Sequence, residues 1–145
     1  MIQVAEACGI RLLGPNCIGL LDTHLPIDTT FLPPPGPTPG DVAFLSHSGA
    51  ICAAAIDWAR GQGYGISRLI SLGNQADVSE TDLLAPTAAD DHTNVIALYL
   101  EGIKSGRRFI KEAQEVVGLK PIIALKVGKY ESGRRAAASH TGALA

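Results

Sequence analysis

Apolar residues fall in short consecutive runs separated by longer, alanine-rich or amphipathic stretches. Val42-Ala43-Phe44-Leu45 is such a run, followed over 50–60 (AICAAAIDWAR) by a helix packed with alanine. Leu69-Ile70-Ser71-Leu72 is the next, then Gly73-Asn74 and a helix starting near Ser79, where Ser79 and Asp82 have the spacing of a capping box. Val95–Leu100 gives a third run, 106–117 a third helix, and Pro121-Ile122-Ile123-Ala124-Leu125 a fourth run. The alternation is β-α-β-α-β-α-β, with strands expected near 42–45, 68–72, 94–100 and 121–126. Strands apolar on successive residues are covered on both faces, so a parallel sheet with helices on both sides is expected. The fold class is α/β: a flavodoxin-like, doubly wound sheet over 41–145. Ligands of such sheets bind beyond the carboxyl ends of the strands, here the loops after Leu45, Leu72, Leu100 and Lys126.

Upstream the pattern is less regular. Residues 1–8 read as the end of an amphipathic helix stopped by Gly9, and Arg11-Leu12-Leu13 as a short strand. This resembles the tail of an αβ unit whose earlier strands lie before residue 1. Residues 32–40 (LPPPGPTPG) hold five prolines and two glycines, which favours an extended path and a domain boundary. The organisation expected is a tail over 1–31, a linker over 32–40, and the flavodoxin-like domain beyond.

Composition narrows the function classes. Hydrophobic residues make up 46% of the 145 but aromatics only 5%, the material of a layered α/β core. A net charge of −2 gives no footprint for nucleic acid. The chain lacks a run of about 20 apolar residues that could span a bilayer, and reads as soluble and cytoplasmic. Cys8, Cys17 and Cys52 share no C-x-x-C spacing and read as reduced thiols. Asp77, Glu80 and Asp82 read as helix-start charges rather than a metal site, His24 and His92 as solvated, and Arg107-Arg108 and Arg134-Arg135 as surface charges.

The most informative feature is a near-repeat. Ser46-His47-Ser48-Gly49-Ala50 ends the first strand and opens a helix, and Ser139-His140-Thr141-Gly142-Ala143 lies at the end of the sequence. Small residues at a helix start bring orphan N–H groups close to an oxyanion. Two such starts could clamp one phosphoryl group. A single copy, however, is a weak signal, since in most proteins Ser-Gly at a strand-to-helix turn merely caps the helix.

With Gly14-Pro15-Asn16-Cys17, Gly73-Asn74, Ala76-Asp77, Tyr99-Leu100-Glu101-Gly102, Lys120-Pro121 and the closing Ser139–Ala145, the chain resembles NDP-forming acyl-CoA synthetases, relatives of the succinyl-CoA synthetase α subunit. The resemblance implies a transfer from acyl-CoA and phosphate through acyl phosphate to a histidine, and from there to ADP. His140 matches the phosphorylated histidine and Glu101 the acidic residue that hydrogen-bonds it. Ser46, Ser48 and Gly49 match one phosphate-binding helix start, and Ser139, Thr141 and Gly142 the other. Asn16 and Cys17 match a turn near the thioester site. His47, where the family more usually has glutamine, reads as a neutral substitute, with a second titratable group beside the phosphate as the alternative. The resemblance further implies CoA or acyl-CoA, phosphate and ADP/ATP as ligands, with Mg and nucleotide held by an ATP-grasp domain or subunit, and an oligomer. It also implies a CoA-binding Rossmann domain before residue 1, and a fragment that is inactive alone. A competing reading is a ligase-like regulatory module of a protein acetyltransferase, and a weaker one a generic small-anion binder.

Overall fold

The computed structural model describes residues 1–128. Its elements in chain order are α1 (Ile2–Ala7), β1 (Leu20–Asp22), β2 (Ile27–Asp28), β3 (Pro39–Ser46), α2 (Gly49–Gln62), β4 (Ile66–Ser71), α3 (Glu80–Ala88), β5 (Val95–Leu100), α4 (Gly106–Val117) and β6 (Ile122–Lys126). They build one six-stranded sheet in the order β2-β1-β4-β3-β5-β6. The four expected strands are all present and mutually parallel, β3 pairing with β4 and β5, and β5 with β6.

Side chains of β3 and β4 enter two different cores, while β5 buries Ile96, Leu98 and Leu100 on one side. Ala43 and Leu45 of β3, Ile70 of β4, and Ile96, Leu98 and Leu100 of β5 pack with Leu84 and Ala88 of α3 and Val116 of α4. Ile66 and Leu69 of β4, with Phe44 against them, pack on the other side with Cys52, Ile56 and Ala59 of α2. This two-sided burial is why those strands lack polar alternation. At the edge, β6 departs from the expectation: Ile123 and Leu125 stay exposed.

Three upstream features differ from the sequence reading. Leu20–Asp22 and Ile27–Asp28 form an antiparallel hairpin, and β1 runs antiparallel to β4, so the sheet is mixed. Residues 32–40, expected as a boundary, run between strands of one sheet, and β3 already begins at Pro39. Arg11-Leu12-Leu13 is not a strand. Its backbone is drawn instead to the loop after β4: Val78 N donates to Leu12 O at 3.1 Å, Ala76 N to Gly14 O at 2.7 Å, and Leu12 N to the Asp77 carboxylate at 2.8 Å. Arg11 Nε reaches the same carboxylate at 2.9 Å. Asp77 is thus a fastener, and the guanidinium of Arg11 and the N–H of Leu12 lower its pKa against the opposing effect of burial.

Two close backbone approaches fix the layout. Where β3 and β4 begin, Gly40 and Gly65 face each other so closely that a Cβ on Gly40 would lie 2.3 Å from Gly65 Cα. At the other end of β4, Gly73 has φ +55°, and a Cβ there would lie 2.2 Å from Pro15 O. Only glycine lets the 14–16 turn settle on this loop.

Candidate functional site at the carboxyl end of the sheet

The parallel strands β3, β4 and β5 end side by side, and their following loops converge. Beyond the ladder, Leu72 N donates to Ser46 O at 2.7 Å and His47 N to Tyr99 O at 3.1 Å. Ser46 and Ser48 are both buried. Ser48 N donates to Ser46 Oγ at 3.0 Å, and Ser46 Oγ donates back to Ser48 O at 2.9 Å, which turns the chain sharply from strand into helix. Ser48 is the N-cap of α2, its side chain accepting from Ile51 N at 3.4 Å. Capping thus holds for this copy of the near-repeat, and it aims the first N–H groups of a 14-residue helix out of the loop.

The 14–18 turn reaches the same place. Ile18 N donates to Ser71 Oγ at 3.2 Å, Asn74 N to Pro15 O at 2.9 Å, and Asn16 Nδ2 to Asn74 Oδ1 at 3.3 Å. Gly49 lies over Ile18, whose Cγ2 is 2.6 Å from where a Cβ would stand. Between the two loops opens a cavity of about 330 Å³, lined by Asn16, Cys17, His47, Ser48 and Gly49 among others. Cys17 and Cys52 are distinct in kind. Cys17 lines the cavity, half-buried, whereas Cys52 is buried and its thiol is pushed up to about 12 by that burial, against hydrogen bonds from Ser46 and Ser71.

Glu101 follows β5 directly and is 3% exposed. Its N–H donates to His47 Nδ1 at 3.1 Å, and its C=O accepts from Lys126 Nζ at 2.9 Å. Burial, and next the charge of Glu101, raise the pKa of Tyr99. Glu101, Ser46, Ser48 and Gly49 therefore come together, with Asn16 and Cys17 across the cavity. His140, Ser139, Thr141 and Gly142 lie outside the described residues.

Sequence reading missed one buried group. Glu80, read as a helix-start charge, does open α3 but is 1% exposed, with Oε2 3.3 Å from His47 Nε2 and Oε1 accepting from Thr81 Oγ1 at 3.1 Å. Burial alone would raise its pKa, but hydrogen bonds from His47, its own backbone N–H and Thr81 leave it lowered. Gln75, at φ 52°, brings its side-chain amide within 2.8 Å of the same His47 nitrogen. Asp82 behaves as expected: Ser79 N and Oγ donate to it at 2.9 and 2.7 Å, and Arg108 pairs with it at 2.6 Å. Burial opposes these bonds and loses, so its pKa falls to about 2. Arg108 is thus committed to a helix–helix contact.

His24 and His92 are exposed but not isolated, since their rings stack at 4.2 Å. His24 Nε2 also lies 2.8 Å from Gly40 O. Among the described residues no group of three His, Cys, Asp or Glu could hold a metal ion, and no helix is long and apolar enough to cross a membrane.

Residues 39–145 match the family model described as the succinyl-CoA ligase like flavodoxin domain. Over 145 residues, all of this chain, the sequence is 44% identical to acetate–CoA ligase (ADP-forming) I of Archaeoglobus fulgidus, covering 21% of that protein. It is 47% identical, again over all of this chain, to the α subunit of acetate–CoA ligase (ADP-forming) II of Pyrococcus furiosus, covering 31% of it. A solved structure of dinucleotide-forming acetyl-coenzyme A synthetase 1 from Ca. Korarchaeum cryptofilum, in complex with phosphate and ADP, superposes with a TM-score of 0.88 at 44% identity. That match covers 99% of this chain and 31% of the other. The chain therefore spans between a fifth and a third of the length of these relatives. By family model, sequence and superposition alike, the chain belongs to the succinyl-CoA ligase-like flavodoxin domains, as they occur in ADP-forming acyl-CoA synthetases.

Proposed function

We propose that this chain is the phosphohistidine-bearing part of an ADP-forming acyl-CoA synthetase. The complete enzyme would interconvert acyl-CoA, ADP and phosphate with carboxylic acid, CoA and ATP through an acyl phosphate and a phosphohistidine. The observation that carries the reading is the contact between Glu101 and the Ser46–Gly49 loop: the buried acid at the end of β5 is hydrogen-bonded to the segment that opens α2.

Each group has a part in that chemistry. The α2 N-terminus, through the backbone of Ser48 and Gly49, would receive phosphoryl oxygens, since orphan N–H donors and the helix dipole favour an anion there. Ser139, Thr141 and Gly142 would supply the opposing helix start. His140 is the nucleophile. Glu101, accepting from its Nδ1–H, would leave the Nε2 lone pair toward phosphorus and stabilise the cation that develops during transfer. Asn16 and Cys17 would border the thioester. Cys17 is a small lining thiol in this reading, with no covalent role.

Residues 1–31 would carry the end of a CoA-binding Rossmann-like domain across to the sheet, and an ATP-grasp domain or partner subunit would hold Mg and the nucleotide in an oligomeric, cytoplasmic enzyme. These 145 residues by themselves are expected to be inactive, because they span between a fifth and a third of the length of the relatives they match.

The test is phosphoenzyme formation in the full-length protein with its nucleotide-binding partner, from ATP with magnesium or from acyl-CoA with phosphate. The label should be acid-labile and alkali-stable, as a phosphoramidate is. His140→Ala should abolish it, and Glu101→Gln should slow it. Labelling that persists in His140→Ala would falsify the assignment.

A further inference from the structure

The ring of His47 has both nitrogens committed inside the protein. Glu101 N is a donor, so Nδ1, 3.1 Å away, must be its acceptor and carries no proton. The neutral ring then carries its proton on Nε2, 3.3 Å from Glu80 Oε2. Gln75 fits the same tautomer. Its amide is oriented with Nε2 toward the ring and Oε1 buried without a partner, and a half-turn of the amide puts Oε1 within reach of the His47 Nε2–H. His47 is 4% exposed, has no lone pair open to the cavity, and is not a second phosphoryl acceptor.

We propose that His47 is a positioning residue for Glu101. The inference rests on the reading of Glu101 as the partner of a phosphorylated histidine. Glu101 stands one residue beyond β5, and its N–H donates to a side chain, the His47 imidazole. The imidazole holds it from the β3 side, while Lys126 Nζ holds the Glu101 carbonyl from the β6 side at 2.9 Å. The two peptide groups flanking the Glu101 Cα are thereby pinned by side chains from the two neighbouring strands. At the opposite edge of the ring, Nε2 faces the Gln75 amide at 2.8 Å and Glu80 Oε2 at 3.3 Å. The chain of contacts Glu80–His47–Glu101 places the carboxylate, and a misplacement of about 1 Å at such a group is enough to slow transfer by up to about 100-fold.

The experiment compares His47→Leu with His47→Asn in the full-length protein with its nucleotide-binding partner. Leucine keeps volume but removes the acceptor, whereas asparagine sets an amide oxygen near the place of Nδ1. His47→Leu should lower the rate of label transfer to His140 by about 10-fold or more, with KM for acyl-CoA and phosphate unchanged, and His47→Asn should recover most of it. Hydrogen exchange of the Glu101 amide supplies a readout independent of catalysis: it should accelerate in the leucine variant and stay slow in the asparagine variant. Should the leucine protein not fold, His47→Ala, which also removes the acceptor of the Glu101 N–H, replaces it. Equal behaviour of the asparagine and leucine variants in both readouts, or a leucine variant indistinguishable from the unaltered protein, overturns the proposal. An unaltered protein that takes no label at His140 strikes the functional reading instead, and amide exchange then decides alone whether His47 holds Glu101.

Discussion

The two ends of this sheet carry the same kinds of side chain and treat their histidines in opposite ways. At the carboxyl end, His47, Glu80 and Glu101 are each less than a twentieth exposed, and every His47 nitrogen has an assigned neighbour. At the amino end, His24 and His92 stack in solvent beside Asp22, Arg68 and Asp90, with Arg68 bridging the two carboxylates at 3.1 and 3.0 Å. Histidine and carboxylate in proximity are therefore not what distinguishes a site. What distinguishes it is desolvation of the imidazole, which makes its hydrogen bonds obligatory and fixes its orientation.

The sharpest way to break the comparison is Gly73→Val at the carboxyl end. A side chain there must displace Pro15 O and adopt a left-handed φ, so a loss of about 4 kcal/mol in urea unfolding is expected, combining overpacking and backbone strain. Next is Glu80→Ala, which strips a buried carboxylate from His47 and Thr81 and should cost about 3 kcal/mol. The folded-state pKa of Glu80 lies below its unfolded value, so its contribution is complete at neutral pH and fades as pH falls through the carboxylate range. A Glu80→Ala penalty that stays constant from pH 7 to about pH 3 would sink the idea that the residue is ionised in the fold.

Asp82→Asn should cost less, about 1 kcal/mol, because the carboxylate is partly screened. With a folded pKa of about 2 against an ordinary value of 3.8, its stabilising effect is full above that ordinary value and disappears as pH drops toward 2. Thermal melts of variant and parent should converge there. The smallest effect belongs to the amino end. His92→Ala should shift stability by no more than about 0.5 kcal/mol and leave phosphoenzyme formation unchanged; a large loss of labelling would erase the contrast between the two ends.

Much of the frame is legible from residue pattern. The run Val95–Leu100 and the helix 106–117 follow directly from apolar spacing, and the Ser79–Asp82 cap from residue identity. The hairpin is not legible, since strands of three and two residues are too short to display a period and owe their existence to the free edge of β4. Arg11–Leu13 misleads because an extended apolar segment looks the same whether it pairs with a strand or a loop. Glu80 is legible as a helix-start charge but its burial is not, because its neighbour His47 is 33 positions away in sequence, in the loop after β3. Glu101 is readable as an acid at a strand end, yet the imidazole that receives its N–H announces itself nowhere in local sequence.

The facing glycines at the start of β3 and β4 have an evolutionary consequence. Since Gly40 and Gly65 occupy one shared gap, a methyl on either would force the strand ends apart, and that separation would make room for a methyl on the other. The cost of the two changes together should be well below the sum of each alone, so the positions are epistatic. A lineage that loses one of these glycines is thereby released from selection on the second, and drift at this corner should proceed in pairs.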